Sequence, residues 1–190
     1  MCSCPTFCTD AERSRLRLDS PDMAHHYLEM LVRLACEIAE AYGGSLFVVD
    51  GGVLRPYVIY NLPEEYIAGI GDVRIGTQCC GRAVEAKRPW IVTDMLEDEL
   101  FVDGRNGATN SLVRAAFSVP VLEGERAIAS LACHYTVPHT PTALDIERNQ
   151  HFARLIAITM KGQEPTNEKP VFTWPLATNA LEPSGTGSSD

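Results

Sequence analysis

Two adjacent cysteines, Cys79 and Cys80, are the residues of this sequence best suited to chemistry. They follow a glycine-containing turn, and the sequence predicts a short helix that runs from about Gly81 to Ala86. The unpaired N–H groups at a helix N-terminus favour negative charge and lower the pKa of a nearby thiol. Cys79 or Cys80 is therefore the best candidate for a reactive thiolate. The same field, together with the positive charges of Arg82 and Arg74, also suits a small anionic or polar ligand.

Other polar side chains near the predicted strands and turns are candidates to line a pocket with these cysteines. Each also has a structural role open to it. Asp94 is suited to accept backbone N–H groups in its turn, Arg114 to pair with a loop carboxylate, and His134 to be a satisfied sheet histidine. Cys80 can simply pack at the turn before the helix. The pocket candidates are Tyr57, Arg74, Thr77, Gln78, Cys79, Cys80, Arg82, Asp94, Arg114, Ser118, Cys133 and His134.

The chain has seven cysteines, and their spacing does not indicate a disulfide framework. In a reducing compartment we expect them to be mostly free thiols. Cys36 and Cys133 lie in apolar patterns and are interpreted as core residues. Three more stand in the first eight residues, where they could join Cys79, Cys80 or His134 in a zinc site, but no second CxxC pair supports one. We therefore predict no metal and leave open the role of Cys2, Cys4 and Cys8.

Composition excludes several classes of function. The net charge of −9 argues against nucleic acid and anionic membrane surfaces as partners, because both require a basic face. No apolar run approaches the roughly 20 residues that span a bilayer, and the N-terminus lacks the apolar core of a secretory signal. With 45% hydrophobic and 22% charged residues the chain has the composition of a globular protein, and we expect it to be cytoplasmic.

Hydrophobic periodicity and turn residues predict an α+β fold with one main domain over residues 21–162. We expect a flexible leader over 1–20 and a disordered tail over 163–190, since the tail is rich in proline, glycine and serine. Hairpin-linked strands between terminal helices indicate a mainly antiparallel sheet of about six strands with helices on both faces. The predicted helices cover about 21–42, 61–68, 81–86, 108–112 and 142–161. The predicted strands cover 45–49, 53–60, 73–75, 90–92, 114–122 and 126–136. We expect Gly43-Gly44 to end the first helix, Asp50-Gly51-Gly52 to form a hairpin turn, and Thr140 or Thr142 to cap the last helix.

The blocks IGTQCCGRAV, RPWIVTDM, RAAFSVPVLEG and SLACHYTVPHTPTALDIERNQHFARLIA occur in this order. Together they resemble the GAF domains of bacterial sensory proteins, over about Pro21 to Gly162. The resemblance implies a sandwich in which the first and last helices share one face of the sheet and often dimerise. It also implies that short helices and loops form a ligand pocket on the other face.

Several activities of GAF-like proteins can be compared with these residues. Free methionine sulfoxide reductases have a cysteine-glycine turn that Cys80 and Gly81 match, but residues 103–118 hold no cysteine to act as a second thiol. Cys133 and His134 resemble the dipeptide at which phytochrome-like proteins attach a bilin, yet they lie within a predicted strand. His134 is also the one candidate axial ligand for haem. The Asn-Lys-Phe-Asp-Glu signature of cyclic-nucleotide-binding GAF domains is absent.

We therefore predict a non-enzymatic sensory or regulatory module that binds a small molecule of unknown identity and signals in trans to a partner protein. The alternatives are a cysteine-dependent redox enzyme of the free methionine sulfoxide reductase type and a ligand-free dimerisation module. No cofactor is indicated. The apolar stripes of the first and last helices predict a homodimer through a parallel helical bundle. These stripes contain Leu28, Leu31, Ala35, Ile38, Phe152, Leu155 and Thr159.

Overall fold

The computed structural model describes residues 21–99, 101 and 112–161. The predicted leader with Cys2, Cys4 and Cys8, the loop over 103–107 and the tail over 163–190 lie outside these residues. All but the last residue of the helix predicted over 108–112 lies outside them as well.

In the described part of the chain, six strands form one antiparallel sheet with the order β3-β2-β1-β6-β5-β4. Each neighbouring pair is antiparallel, and the central pair places Gly44 of β1 opposite Cys133 of β6. The predicted six-stranded, mainly antiparallel sheet is confirmed. Its strands are β1 (Gly43–Asp50), β2 (Val53–Tyr60), β3 (Val73–Arg74), β4 (Trp90–Val92), β5 (Ala115–Glu123) and β6 (Arg126–Tyr135).

Helices cover both faces of this sheet, as predicted. The first and last helices contact each other on one face, and the two short helices lie on the other. Apolar side chains fill the space on each side, so the molecule has an α1/α4 core and an α2/α3 core. Among the described residues, no helix has the length and apolarity needed to cross a membrane. The helices are α1 (Pro21–Ile38), α2 (Glu64–Ile70), α3 (Gln78–Ala86) and α4 (Ala143–Lys161).

Alternation along β6 decides which side chains enter which core. Leu131, Cys133 and Tyr135 enter the α1/α4 core, and Ala132 enters the α2/α3 core, as the period of two predicts. The order is reversed at the start of the strand, where Ala127 packs in the α2/α3 core. A bulge causes the reversal, because the pairing with β5 shifts between Val121 and Leu122.

The first helix ends earlier than predicted, at Ile38, and Gly43 and Gly44 belong to β1. A Cβ atom on Gly44 would lie 2.1 Å from the sulfur of Cys36, and one on Gly43 would lie 2.6 Å from the carbonyl oxygen of Tyr60. The two glycines therefore allow β1 to approach α1 and β2 closely. They do not act as the helix stop that the sequence suggested.

The helix that carries the cysteine pair begins at Gln78, three residues before the predicted start at Gly81. Thr77 precedes it with an extended backbone, so Cys79 and Cys80 lie within its first turn. Gly81 is inside the helix, where an added Cβ would lie 2.2 Å from the carbonyl oxygen of Arg74. Its role is close packing of α3 against β3 rather than a turn.

The last helix begins with a reciprocal cap. The hydroxyl of Thr142 accepts the N–H of Asp145 at 3.2 Å, and the carboxylate of Asp145 accepts the N–H of Thr142 at 2.9 Å. This confirms Thr142 as the cap, one of the two predicted candidates. The buried face of the helix consists of Asn149, Ala153 and Ile156. Of the predicted stripe, Phe152 and Thr159 are half-buried and Leu155 is 44% exposed.

Candidate functional site

The α2/α3 core contains a cavity of about 10 Å³. This volume is close to the minimum that holds one water molecule, and it is far below the several hundred cubic ångströms of a typical ligand site. Among the described residues that line it, none is a lysine, an arginine or an acidic residue. The lining residues are Phe47, Tyr66, Ile70, Val73, Gln78, Cys79, Cys80, Phe101 and His134.

His134 connects three elements around this cavity. Its Nε2 atom lies 3.0 Å from the hydroxyl of Ser45 on β1, and its Nδ1 atom lies 3.2 Å from the hydroxyl of Tyr66 on α2. The Tyr66 hydroxyl donates to the sulfur of Met95 at 3.7 Å, so it can accept an N–H from Nδ1 while Nε2 accepts from Ser45. His134 thus has the partners of a satisfied sheet histidine, one of the roles expected from sequence. Burial lowers its pKa to about 3, so the ring is neutral.

The two cysteines are packed and hydrogen-bonded. The thiol of Cys79 donates to the carbonyl oxygens of Trp90 at 3.4 Å and Ala116 at 3.6 Å, and the sulfur of Cys80 lies 3.3 Å from the hydroxyl of Ser118. Burial raises the pKa of both thiols, and this effect exceeds that of their position at a helix N-terminus. The low-pKa thiolate for which these cysteines were candidates is therefore wrong, whereas Cys80 is packed in the interior, the other role open to it. Both side chains are protonated thiols at neutral pH.

Asp94 and Arg114 form an ion pair beside β4. Two nitrogens of the guanidinium donate to the two carboxylate oxygens, and the N–H of Leu96 donates to Asp94 Oδ1 at 3.0 Å. The hydrogen bond from Arg114 is the main reason why the pKa of Asp94 is lowered. Both residues have the structural roles expected from their types. They fix the turn that brings Met95 into the α2/α3 core.

Five of the remaining candidates do not line the cavity. Tyr57 and Cys133 lie on the opposite face, in the α1/α4 core. Arg74 is exposed on β3, and the hydroxyl of Thr77 donates to its carbonyl oxygen at 2.9 Å. Arg82 is buried, with a guanidinium nitrogen 3.6 Å from the carboxylate of Asp98.

The structure thus brings Gln78, Cys79, Cys80 and His134 together, with Ser118 behind Cys80. Sequence reasoning missed Ser45 and Tyr66. Tyr66 and Ile70 are four residues apart on α2 and line the same cavity, a spacing that could have indicated their shared face. No comparable signal marks Ser45. Within the described part of the chain, no three His, Cys, Asp or Glu side chains are grouped to hold a metal ion.

A larger groove, of about 640 Å³, lies where the end of α1, the end of β6 and the start of α4 meet. The rings of His139 and Tyr135 are stacked, with 3.8 Å between their centroids. The Tyr135 hydroxyl donates to the carbonyl oxygen of Ala39 at 3.0 Å. Both acidic and basic side chains line this groove, namely Glu40, Asp145 and Arg148. It contains none of the residues that the sequence singled out for ligand binding.

Comparison with known proteins gives a consistent fold. The family model for the GAF domain matches residues 24–160. No curated protein matches the chain. Solved structures with the same fold include the GAF domain of a phosphoenolpyruvate-protein phosphotransferase from Coxiella burnetii, which is 15% identical with a TM-score of 0.64 and covers 80% of this chain and 88% of its own.

Two further solved structures come from proteins with different functions. A domain of a protein described as a two-component sensor histidine kinase from Sinorhizobium meliloti is 15% identical, with a TM-score of 0.61, and covers 75% of this chain and 92% of its own. A free methionine-R-sulfoxide reductase from Neisseria meningitidis, solved with its substrate, is also 15% identical, with a TM-score of 0.55, and covers 83% and 93%. At this identity the similarity shows the fold alone.

Proposed function

Because this chain belongs to the GAF domain family, we propose that it is a non-enzymatic regulatory module that binds a small uncharged molecule beside His134 and signals in trans. The alternation of β6 is the observation that supports this most. His134 lines the cavity, while its neighbours Cys133 and Tyr135 pack in the α1/α4 core on the opposite face of the sheet. The Cys133 thiol donates to Asn149 of α4 at 3.3 Å, and the Tyr135 hydroxyl donates to the end of α1. A change at His134 is therefore one residue from contacts with both terminal helices.

The lining of the cavity supports an uncharged ligand. His134 is neutral, both cysteines are protonated, and the pKa of Tyr66 is raised by burial. A charged ligand would lose its hydration here without gaining an opposite charge. A ligand larger than water must also displace a lining side chain, and displacement of Tyr66 would break the Ser45–His134–Tyr66 network. This gives binding a direct mechanical consequence at β6.

NMR titration tests the proposal on the full chain, with acetamide, urea, pyrazole and ethylene glycol as uncharged probes and acetate as a charged one. We expect saturable shifts of the His134 and Tyr66 ring signals with at least one uncharged probe, and none with acetate. Val73→Leu adds a methylene group to the cavity wall. It should raise the probe concentration that gives half-maximal shifts at least about tenfold. Val119→Leu, in the α1/α4 core, is the matched control and should retain them. Unmoved ring signals with every probe would contradict the proposal.

The enzymatic alternative makes a different demand on the cysteines. A thiol reductase requires an attacking thiolate and a resolving thiol. Among the described residues, the hydrogen-bond partners of Cys79 and Cys80 are two carbonyl oxygens and a serine hydroxyl. We therefore expect no turnover of free methionine sulfoxide with a dithiol reductant. Turnover that Cys80→Ser abolishes would favour the enzyme instead.

The proposal includes a reducing, cytoplasmic location. Cys36, Cys79, Cys80 and Cys133 are all buried free thiols, a state that a reducing compartment preserves. It also includes a partner protein that receives the signal from α1 and α4, and a dimeric state of the chain.

A further inference from the structure

Two thiols on the α1/α4 side of the sheet lie against each other. The sulfur of Cys36, on α1, is 4.0 Å from the sulfur of Cys133, on β6. Both side chains are completely buried. A disulfide bond requires about 2 Å between the sulfurs, so a small rotation or shift of the two side chains separates the present pair from a bonded one.

The backbone beneath this pair is shaped to admit it. Gly44 is the direct neighbour of Cys133 across the β1–β6 ladder. A Cβ atom on residue 44 would lie only 2.1 Å from the Cys36 sulfur. Because Gly44 lacks that atom, the Cys36 sulfur can reach over β1 to β6. The Cβ of any other residue at position 44 would clash with the Cys36 sulfur.

We propose that Cys36 and Cys133 form a reversible intramolecular disulfide when the protein meets hydrogen peroxide. One thiol loses its proton and the thiolate sulfur attacks a peroxide oxygen; the O–O bond breaks, a sulfenic acid forms, and the departing hydroxide takes up the proton as water. The second thiol then attacks the sulfenic sulfur, the S–S bond forms, and a second water leaves. Two thiols are thus oxidised to one disulfide while one peroxide is reduced to two waters. A dithiol reductant returns both cysteines to thiols.

This disulfide would act directly on the two terminal helices. It ties α1 covalently to the centre of the sheet. It also removes the proton that the Cys133 thiol donates to Asn149 Oδ1, at 3.3 Å, in a residue that is only 1% exposed. A buried acceptor that loses its donor is unfavourable, so oxidation holds α1 more tightly and weakens the packing of α4. The site lies on the opposite face from the cavity, and its operation does not depend on a ligand there.

Burial sets the speed of the reaction. The hydrogen bond with Cys36 and the loss of hydration both raise the pKa of Cys133, so the thiolate is scarce in the closed structure. Peroxide reaches the pair when α1 moves away from the sheet. We therefore expect a slow oxidation whose rate increases under conditions that loosen α1.

The test uses the full chain with Cys2, Cys4 and Cys8 changed to serine, so that the N-terminal thiols cannot exchange. The reduced protein is exposed to hydrogen peroxide under native conditions, alkylated with N-ethylmaleimide in denaturant, digested and mapped by mass spectrometry. We expect a peptide pair linked through Cys36 and Cys133. The bond closes a loop of nearly 100 residues, so the melting temperature should rise by about 5–15 °C and return with dithiothreitol.

The controls separate this pair from the other buried thiols. Cys36→Ala and Cys133→Ala should each abolish the linked peptide, whereas Cys79→Ala and Cys80→Ala should retain it. If the single variants fail to fold, the peptide map of the parent protein decides alone. Recovery of both Cys36 and Cys133 as alkylated thiols after prolonged peroxide treatment would overturn the proposal, and so would a disulfide that links either of them to Cys79 or Cys80.

Discussion

His134 is held neutral by its burial in the α2/α3 core. Its pKa is lowered from an ordinary 6.5 to about 3, and both ring nitrogens have hydroxyl partners that suit the neutral form. In the unfolded chain the same ring takes up a proton near pH 6.5. Between these two pKa values the unfolded state binds more protons than the native state, so the free energy of unfolding decreases as the pH falls.

This difference gives a pH-dependent stability that can be assigned to one residue. From about pH 7 to about pH 5, His134 should reduce the free energy of unfolding by about 2 kcal/mol. Urea unfolding at a series of pH values measures the slope. His134→Gln, which binds no proton, should flatten it, whereas His151→Gln at an exposed position of α4 should leave it steep. Equal slopes in the parent and His134→Gln proteins would show that the ring is not buried as described.

The cysteine pair of α3 should be chemically inert in the folded protein. Because burial raises the pKa of both thiols, iodoacetamide at neutral pH should modify Cys79 and Cys80 at least about tenfold more slowly than free cysteine. Both should react rapidly once urea unfolds the chain, which provides the control. Peptide mapping by mass spectrometry distinguishes the two sites. Fast labelling of either one in the native protein would restore the reactive thiolate that the sequence suggested.

Residue type alone indicated part of this site. The pairing of Arg114 with a loop carboxylate and the satisfied state of His134 follow from what these side chains require when they are partly or fully buried. Ser45 and Tyr66 could not be identified, because a partner across the sheet depends on strand register and on where α2 lies. The pKa of the cysteines was mispredicted for a similar reason. The sequence shows a helix N-terminus but not the depth of protein above it.

The packing of helices against strands at two glycines shows how a close contact can be mistaken for a turn. Gly81 was interpreted as the start of α3 and Gly44 as the end of α1, yet each lies where a strand and a helix nearly touch. By contrast, the Asp50-Gly51-Gly52 hairpin is confirmed, with both glycines at positive φ, 59° and 94°. Local turn chemistry was readable from sequence, whereas the distant segment that each glycine approaches was not.

Gly81→Ala tests this interpretation, because helix propensity and packing predict opposite signs. Propensity alone would stabilise α3 by about 1 kcal/mol. The new Cβ would instead lie 2.2 Å from the carbonyl oxygen of Arg74, a backbone atom that cannot move cheaply, so we expect a loss of at least about 2 kcal/mol. Urea unfolding measures the change.

Gly124→Ala is the matched control for this substitution. No atom lies within 4 Å of a Cβ at that position, and its φ is +58°. Strain in the left-handed region should therefore cost only about 1 kcal/mol. A Gly81→Ala protein that equals or exceeds the parent in stability would show that α3 does not pack against β3 as described.

At the scale of the whole molecule, one sheet separates two cores that share the same strands. The α2/α3 core holds the cavity, and the α1/α4 core holds the thiol pair and the terminal helices. Because side chains alternate along β6, the side chains of neighbouring residues point to opposite faces of the sheet. The architecture followed from the order and spacing of predicted elements, since hairpins and terminal helices leave few ways to cover one sheet. The bulges that set the local strand register could not be predicted from this order, because each depends on one extra residue in a strand.

The outer surface of the terminal helices is the remaining feature at this scale. Leu28, Leu31 and Ala35, which the sequence assigned to a dimer interface, are buried against the sheet. The side of α1 that faces away from the sheet instead exposes Met30, Leu34 and Ile38, which are one turn apart. These three residues are called the outward row of α1. On α4, Leu155 and the 71% exposed Ile158 also face outward. The exposed apolar residues concerned are Met30, Leu34, Ile38, Leu155 and Ile158.

An exposed apolar surface of this kind on paired helices is typical of an interface, and a second copy of the chain can cover it symmetrically. We therefore retain the prediction of a homodimer, with the outward rows of α1 and α4 as its contact. Sedimentation equilibrium at micromolar concentration should give the mass of two chains. Leu34→Lys and Ile158→Lys should each weaken association at least about tenfold, because they bury an unpaired charge. Leu122→Lys, at an exposed apolar position near the end of β5, should not. A parent protein that remains monomeric at all concentrations, or a dimer that neither helix variant affects, would place the interface elsewhere or remove it.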